Sequence, residues 1–373
     1  MHEDIGCLGA AGTSFAPGDT KSRYLPDTAF DTEHVKLVLD VDLAKKQLSG
    51  TCVTTLTVLR DATRTISFDA VALKIRGARE NGERLKIRHD GKLLEVRLRR
   101  AARAGEKRSI EIDYVTTNPG AGIRFIDDPP QAWTQGQTDD TRCWFPCRDV
   151  PAEKATTEMI VTVPQGFRAI SNGELVSRNG NTFHWRMDVP HSLYLVSLTV
   201  GRFSEIADEW DGIPITYYCE KGREEAARRA FGKTPRMVEF FSKKTGVRYP
   251  YPKYAQIAVS GFPGGMENTS ATTQTDMALY DQEAALDTDF DDLVAHELAH
   301  QWFGDLVTCA DWSHAWLNES FATYFETLWM EEDKGRNESL YELWRYAGHY
   351  FDESSDYTRP TATRKWRESF QLF

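Results

Sequence analysis

Cysteine is scarce for a chain of 373 residues: six, at Cys7, Cys52, Cys143, Cys147, Cys219 and Cys309. They are too few and too scattered for a disulfide framework, so reduced thiols are expected. Cys143 and Cys147 stand four apart, but Pro146 interrupts them and no second Cys/His pair lies near, so they read as two small buried hydrophobes rather than half a metal site. Long Lys/Arg blocks are missing, and 45 basic against 56 acidic residues leave a net charge of −11, which argues against a nucleic-acid partner. With 26 Gly and 15 Pro the composition is far from low complexity, which excludes fibres and general disorder. No apolar run approaches membrane-spanning length, and Met1-His2-Glu3-Asp4 carries acid where a secretory signal carries base. The expectation is a cytoplasmic chain with no membrane span. There is no internal repeat, phosphate-binding glycine loop or nucleophile elbow.

What is present falls into two parts. From about residue 30 to 205 the pattern is β: Val35, Leu37, Leu39 and Val41 alternate on one face, Thr51 to Leu59 is β-branched, and Asp90-Gly91 joins two alternating runs as a hairpin would. The alternation continues through Ile110 to Val115, Glu158 to Val163, Phe183 to Met187 and Leu193 to Val200. Many short strands predict a sandwich or saddle-shaped sheet. Beyond Gly201 the period changes to helical. Glu224 to Lys244 is broken near Thr234-Pro235, a second run spans about Asp289 to Phe303, and a third runs from Trp316 to Lys334 and stops at Gly335. The expected division is a β-rich domain over 1–205 and a mainly helical one over 206–373, an α+β multidomain chain.

The second helical run contains His296-Glu297-Leu298-Ala299-His300. Positions four apart on a helix share one face about 6 Å apart along the axis, so both imidazoles can converge on one metal ion while Glu297 reaches a water on it. Glu319, within Asn318-Glu319-Ser320-Phe321-Ala322 on the third run, completes a set of two histidines and one carboxylate with an open fourth position. Imidazoles disfavour calcium. Upstream, Gly264-Gly265-Met266-Glu267-Asn268 offers paired glycines that admit a close-lying chain, followed by a carboxylate that could hold a cation near the metal. An edge strand pairing with an extended peptide is the reading these two elements make together.

These motifs resemble those of the gluzincin zinc aminopeptidases, the family of aminopeptidase N and the leukotriene hydrolases. The G-x-M-E-N element is matched by Gly264 to Asn268, H-E-x-x-H by His296 to His300, and N-E-x-F-A by Asn318 to Ala322; His300 to Thr308, Phe145 to Asp149 and Tyr249 to Tyr254 add support. The resemblance implies a β-rich N-terminal domain followed by a thermolysin-like zinc catalytic domain. It implies one Zn2+ per chain on His296, His300 and Glu319, Glu297 as general base, and hydrolysis of the N-terminal bond of peptides with a free N-terminus. Glu267 would bind the substrate's α-amino group with Gln135 and Gln137, and Gly264 and Gly265 would lie along the peptide backbone. Gln137 is the form seen in the leukotriene-hydrolase branch, which keeps epoxide or ester hydrolysis as an alternative. The β-rich part is expected to cap the site, with Gln135 and Gln137 its only chemical contribution.

Family members also carry an oxyanion-stabilising tyrosine further past the last zinc ligand. Tyr324, Tyr341, Tyr346, Tyr350 and Tyr357 all come earlier than that place. The sequence therefore reads as truncated before that tyrosine, its catalytic domain incomplete, with the missing C-terminal portion a possible partner and a fragment that binds peptide N-termini with slow or no turnover a third alternative. Asn268-Thr269-Ser270 and Asn337-Glu338-Ser339 match the glycosylation pattern without implying modification, and the remaining histidines have no ligand spacing.

Overall fold

The computed structural model describes residues 13–16 and 18–372; Cys7 and the acidic opening Met1 to Asp4 lie outside the described residues. The alternating segments form the strands the pattern predicts. Phe30–Asp42 buries Val35, Leu37, Leu39 and Val41 and pairs antiparallel with Gln47–Val58. These two strands sit at the centre of an eight-stranded sheet, in which Lys154–Thr162 joins the far side of Phe30–Asp42 in parallel. A three-stranded sheet carries the Asp90-Gly91 hairpin, with Gly91 at φ +94°, where glycine escapes the penalty a Cβ would incur. A third sheet of four strands includes Gly122–Asp127, Pro130–Gln135, Arg168–Ser171 and Leu198–Gly201.

The stretch Leu193 to Val200 is not one strand. Leu193–Leu195 forms a single 3-10 turn and the strand begins at Leu198. The reason is a side chain: the buried Asn172 amide donates to the Leu195 carbonyl and accepts from the Ser197 N–H, taking backbone groups that a ladder would otherwise use.

Phe203 opens a separate five-stranded sheet ordered Phe203–Trp210, Ile213–Glu220, Tyr254–Val259, Ala271–Thr275, Gly265–Met266. Gly265–Met266 lies at its edge. Five α-helices follow the order of the chain among the described residues: α1 (Glu224–Phe231), α2 (Thr234–Thr245), α3 (Asp291–Ala299), α4 (Trp316–Lys334) and α5 (Arg336–Asp356). Helix α3 is shorter than the run from 289 to 303 predicts. It ends with His300 as its cap residue, because Gly304 (φ +125°) turns the chain back and Phe303 gives its carbonyl to the His300 ring. Helix α5 lacks an apolar stripe strong enough to read from sequence; Leu340, Tyr341, Trp344, Tyr350 and Phe351 are exposed on it. Phe231, Phe241, Trp302, Phe325 and Trp329 pack the helices into one apolar cluster.

The β-rich part and the helical part meet through buried polar groups. Lys253, buried, donates from Nζ to the Ser171 carbonyl at 3.1 Å and to the Ser270 carbonyl at 2.8 Å, under the face of Trp185. Asn172 donates to the Thr269 carbonyl, the Trp133 indole to the Ser260 carbonyl, and Lys154 to the Asp305 and Leu306 carbonyls. Ser270 sits at φ +62°, a left-handed conformation costly for serine, held by bonds to its N–H, carbonyl and hydroxyl from Gln301, Lys253 and Gly173. The described cysteines are free and buried, Cys143 and Cys147 among them. No helix among the described residues is long and apolar enough to cross a membrane.

Burial holds the Lys253 ammonium down to about 7. In the unfolded chain a lysine titrates near 10.4, so between about pH 7 and 10.4 the unfolded state binds more protons and stability rises with pH. Relative to Lys253→Met, the protein should therefore gain unfolding free energy from pH 7 to 9, by at most about 1.4 kcal/mol per pH unit. Urea titrations at four pH values check this; a difference that stays flat would show that burial does not lower the Lys253 ammonium.

Candidate active site

Helix α3 presents His296 and His300 on one face, and their Nε2 atoms approach to 3.0 Å. Two ring nitrogens meet this closely only when both lone pairs aim at a common point or a proton lies between them. The other ring nitrogens decide. His296 Nδ1 donates to Glu326 Oε1 at 2.5 Å, and His300 Nδ1 donates to the Phe303 carbonyl at 2.9 Å, so both Nε2 atoms are left as acceptors. Helix α4 brings Glu319 Oε2 to 3.4 Å from each Nε2. The ligand atoms of His296, His300 and Glu319 all lie within 4.8 Å of one another. Imidazole nitrogen and carboxylate oxygen in this number suit zinc with one position open. A second grouping, Glu267, Glu297 and His300, shares His300 and belongs to the same cavity.

That cavity, of about 540 Å³, is lined by Gln135, Gln137, Gly265, Glu267, His296, Glu297, His300 and Glu319, and also by Thr138, Asp139, Asp140 and Pro263. Of the residues singled out from sequence only Gly264 is outside it, lining an adjoining cavity of about 370 Å³. The two glycines differ in kind. A Cβ on Gly265 would stand 2.0 Å from Glu297 Oε1, whereas one on Gly264 would meet nothing within 4 Å. Gly265 is thus needed so that the edge strand and the Glu297 carboxylate can touch.

Glu297 is 4% exposed, and its Oε2 has no hydrogen-bond partner. Burial, together with the nearby Glu267 and Glu319 carboxylates, raises its carboxyl to about 8 against the lowering effect of the two imidazoles. A cation among the ligands opposes that rise.

Glu267 is 3% exposed and accepts from the Tyr194 hydroxyl at 3.1 Å and the Gln137 amide at 3.3 Å. The same Gln137 Nε2 donates to Glu319 Oε1 at 3.0 Å. Gln135 does something different: its Oε1 accepts the Gln137 N–H and shapes the loop. Asn318 donates to Tyr194 and accepts the Cys309 N–H, tying the loop after α3 to α4. Gln301 donates to the Glu267 carbonyl.

The expectation that Gln135 and Gln137 are the only chemistry supplied by the β-rich part is incorrect, since Thr138, Asp139 and Asp140 line the cavity and Tyr194 bonds to Glu267. Sequence reasoning also missed Glu326, although it lies seven residues after Glu319 and so on the same face of α4. Its second oxygen accepts from the Tyr346 hydroxyl.

Two imidazoles and a carboxylate converging from consecutive helices, with a buried glutamate beside them, define a metallohydrolase type of site. Comparison with known proteins narrows this: the Peptidase M1 N-terminal domain matches residues 31–195 and the Peptidase family M1 domain residues 229–370. The chain belongs to peptidase family M1. It is 36% identical over 235 residues, 60% of its length, to Aminopeptidase M1 of Arabidopsis thaliana, and 35% identical over 274 residues, 70% of its length, to Leucyl aminopeptidase of Saccharolobus solfataricus. These alignments span 26% and 34% of the respective relatives, so the chain covers about a quarter to a third of them. The M1 zinc metallopeptidase of Deinococcus radiodurans, solved as a mutant bound to a Tyr-Ser-Ala substrate, superposes with a TM-score of 0.75 at 26% identity, covering 97% of this chain and 82% of that one. Yeast LTA4 hydrolase shares the fold, with a TM-score of 0.79 at 20% identity over 92% of this chain and 56% of that one.

Replacing Glu326 by Gln removes the acceptor charge that orients His296. Zinc affinity should fall by about 10–100-fold. Chelator competition measures it, and an unchanged affinity would strip Glu326 of the orienting role.

Proposed function

We propose that the protein is a zinc-dependent aminopeptidase that removes the N-terminal residue of peptides, with one zinc per chain on His296, His300 and Glu319. The observation that carries this reading is the position of Glu267: a buried carboxylate in the cavity of the three ligand residues, joined to Glu319 through the single Gln137 amide. A carboxylate with two neutral donors and no cationic partner is suited to an ammonium, and its tie to a metal ligand sets the distance from that ammonium to the scissile bond. Peptide chains lacking a free amine would leave Glu267 buried and uncompensated, which selects for exopeptidase action.

Bound zinc supplies a Lewis acid for the scissile carbonyl and acidifies the attacking water. The peptide extends along the edge of Gly265–Met266, past Gly264, where a Cβ would meet nothing within 4 Å. Glu297, in contact with Gly265, takes a proton from the water as its oxygen bonds to the carbonyl carbon. It then passes that proton to the leaving nitrogen as the C–N bond breaks, yielding a free amino acid and the shortened peptide. Gln135 positions Gln137, and Gln137 with Tyr194 holds Glu267 in place for the amine. A cytoplasmic location, finally, is supported by the free, buried cysteines.

The zinc-loaded protein should cleave a free peptide and leave its N-acetylated twin intact. Glu297→Gln should abolish turnover while metal analysis still finds about one zinc per chain; peptidase activity persisting in that zinc-loaded variant would overturn the base assignment. Gly265→Ala should lower kcat by at least about tenfold with zinc retained, because its Cβ displaces the Glu297 carboxylate. Wild-type kcat in that variant would mean that the contact between strand and base is irrelevant to turnover.

A further inference from the structure

Five carboxylates line the cavity: Asp139, Asp140, Glu267, Glu297 and Glu319. Under the aminopeptidase reading, on which this inference rests, the zinc dication and the substrate's ammonium offset three of them, Arg142 faces Asp139, and Asp140 remains without an ion pair. Asp139 lies 3.6 Å from the Arg142 guanidinium. Among the described residues the Asp140 side chain has no hydrogen bond or ion pair, although the residue is less than half exposed. Its backbone is firmly held: the N–H donates to the Gly136 carbonyl, the carbonyl accepts from Cys143, and Gly136 is packed so tightly that a Cβ there would meet the Tyr194 carbonyl at 2.3 Å. The carboxylate is therefore presented by a rigid loop and not by a mobile tip. Glu297 Oε2, buried and unpartnered in the same cavity, is an independent sign that this space is built around a polar occupant.

Asp140 stands where the main cavity opens into the adjoining one, since Gln135, Asp140, Pro263 and Gly265 line both. The adjoining cavity has Trp133 and Phe262 in its wall. A side chain leaving the N-terminal residue held at Glu267 would cross this junction, its stem against apolar surface and its tip near Asp140. We propose that Asp140 is a specificity-determining residue that selects a cationic side chain, arginine or lysine, at the N-terminal position of the substrate. A long methylene stem suits the aromatic wall and a guanidinium or ammonium suits the unpaired carboxylate. Burial, and then the charge of Asp139, hold the Asp140 carboxyl above its usual value, a cost to the anion that an arriving cation relieves. The charges of Arg124, in the wall of the adjoining cavity, and of Arg142 oppose that rise without forming an ion pair with Asp140, and Arg124 would repel a positive tip that went further.

The test uses two ligands of one shape, argininamide and citrullinamide, whose side chains differ in charge. Binding of each to the zinc-loaded full chain is measured by calorimetry, for the wild type and for Asp140→Asn, with zinc content and melting temperature confirming that the variant is folded. The wild type should bind argininamide at least about tenfold more tightly, and the ratio should collapse towards one in Asp140→Asn. A ratio near one in the wild type, or one that survives the substitution, would overturn the proposal. Because binding is read directly, failure of every free peptide to be cleaved would count against the aminopeptidase reading, while the binding ratio tests Asp140 separately.

Discussion

Everything at this site depends on two imidazole lone pairs being brought to one point. At 3.0 Å, the Nε2 atoms of His296 and His300 repel as unprotonated acceptors with nothing between them, and both are attracted to a cation placed between them. The surrounding structure is arranged for the second case. Glu326 and the Phe303 carbonyl consume the Nδ1 protons, and Phe303 can do so only because α3 stops at His300 and the chain reverses at Gly304. A Cβ on Gly304 would approach the His300 ring to 3.1 Å, so the reversal and the ring orientation share one requirement for glycine. Asn318 then ties the reversed loop to the start of α4, next to Glu319. The Glu319 carboxylate and the loop are thus set by the same turn of helix.

Such a cluster needs a stiff frame, and here the frame is assembled from both halves of the chain. Gln137 and Tyr194 come from the β-rich half and reach Glu267 in the other. Hydrogen bonds of this kind keep their length only if the two halves cannot slide. Lys253 and Asn172 supply that resistance through buried donors aimed at backbone carbonyls across the junction, where breaking a bond would strand a polar group away from water, and the half-buried Lys154 adds its bonds at the rim.

Where physical periodicity carries the signal, sequence and structure agree. His296 and His300 were legible because a helix fixes what four residues apart means, and Val35 to Val41 because a strand alternates. Glu319 was legible as the carboxylate of the next helix. What sequence could not separate were positions alike in type and different in surroundings: Gly264 from Gly265, Gln135 from Gln137, and Asp140 from Asp139. Each distinction is set by a neighbour far along the chain or across a turn, respectively Glu297, Glu267 with Glu319, and Arg142. The 3-10 turn at Leu193–Leu195 escaped for the same reason, since an apolar alternating pattern was overridden by the single amide of Asn172.

The choice of an amide at Gln137 follows from the crowding of charge. Glu267 and Glu319 are both buried or nearly so and share one cavity, and like charges in a poorly solvated space raise each other's cost. An acidic side chain between them would add to that repulsion in the absence of substrate. The Gln137 Nε2 instead donates to both carboxylates, lowering the repulsion while contributing no charge of its own. On the aminopeptidase reading proposed above, Glu267 is then the carboxylate that would meet an incoming ammonium, with no second charge from position 137. On that reading the energy of holding the amine rests on one carboxylate and the neutral groups that orient it, and further charge recognition comes from elsewhere in the cavity wall, where the Asp140 side chain forms no hydrogen bond or ion pair among the described residues.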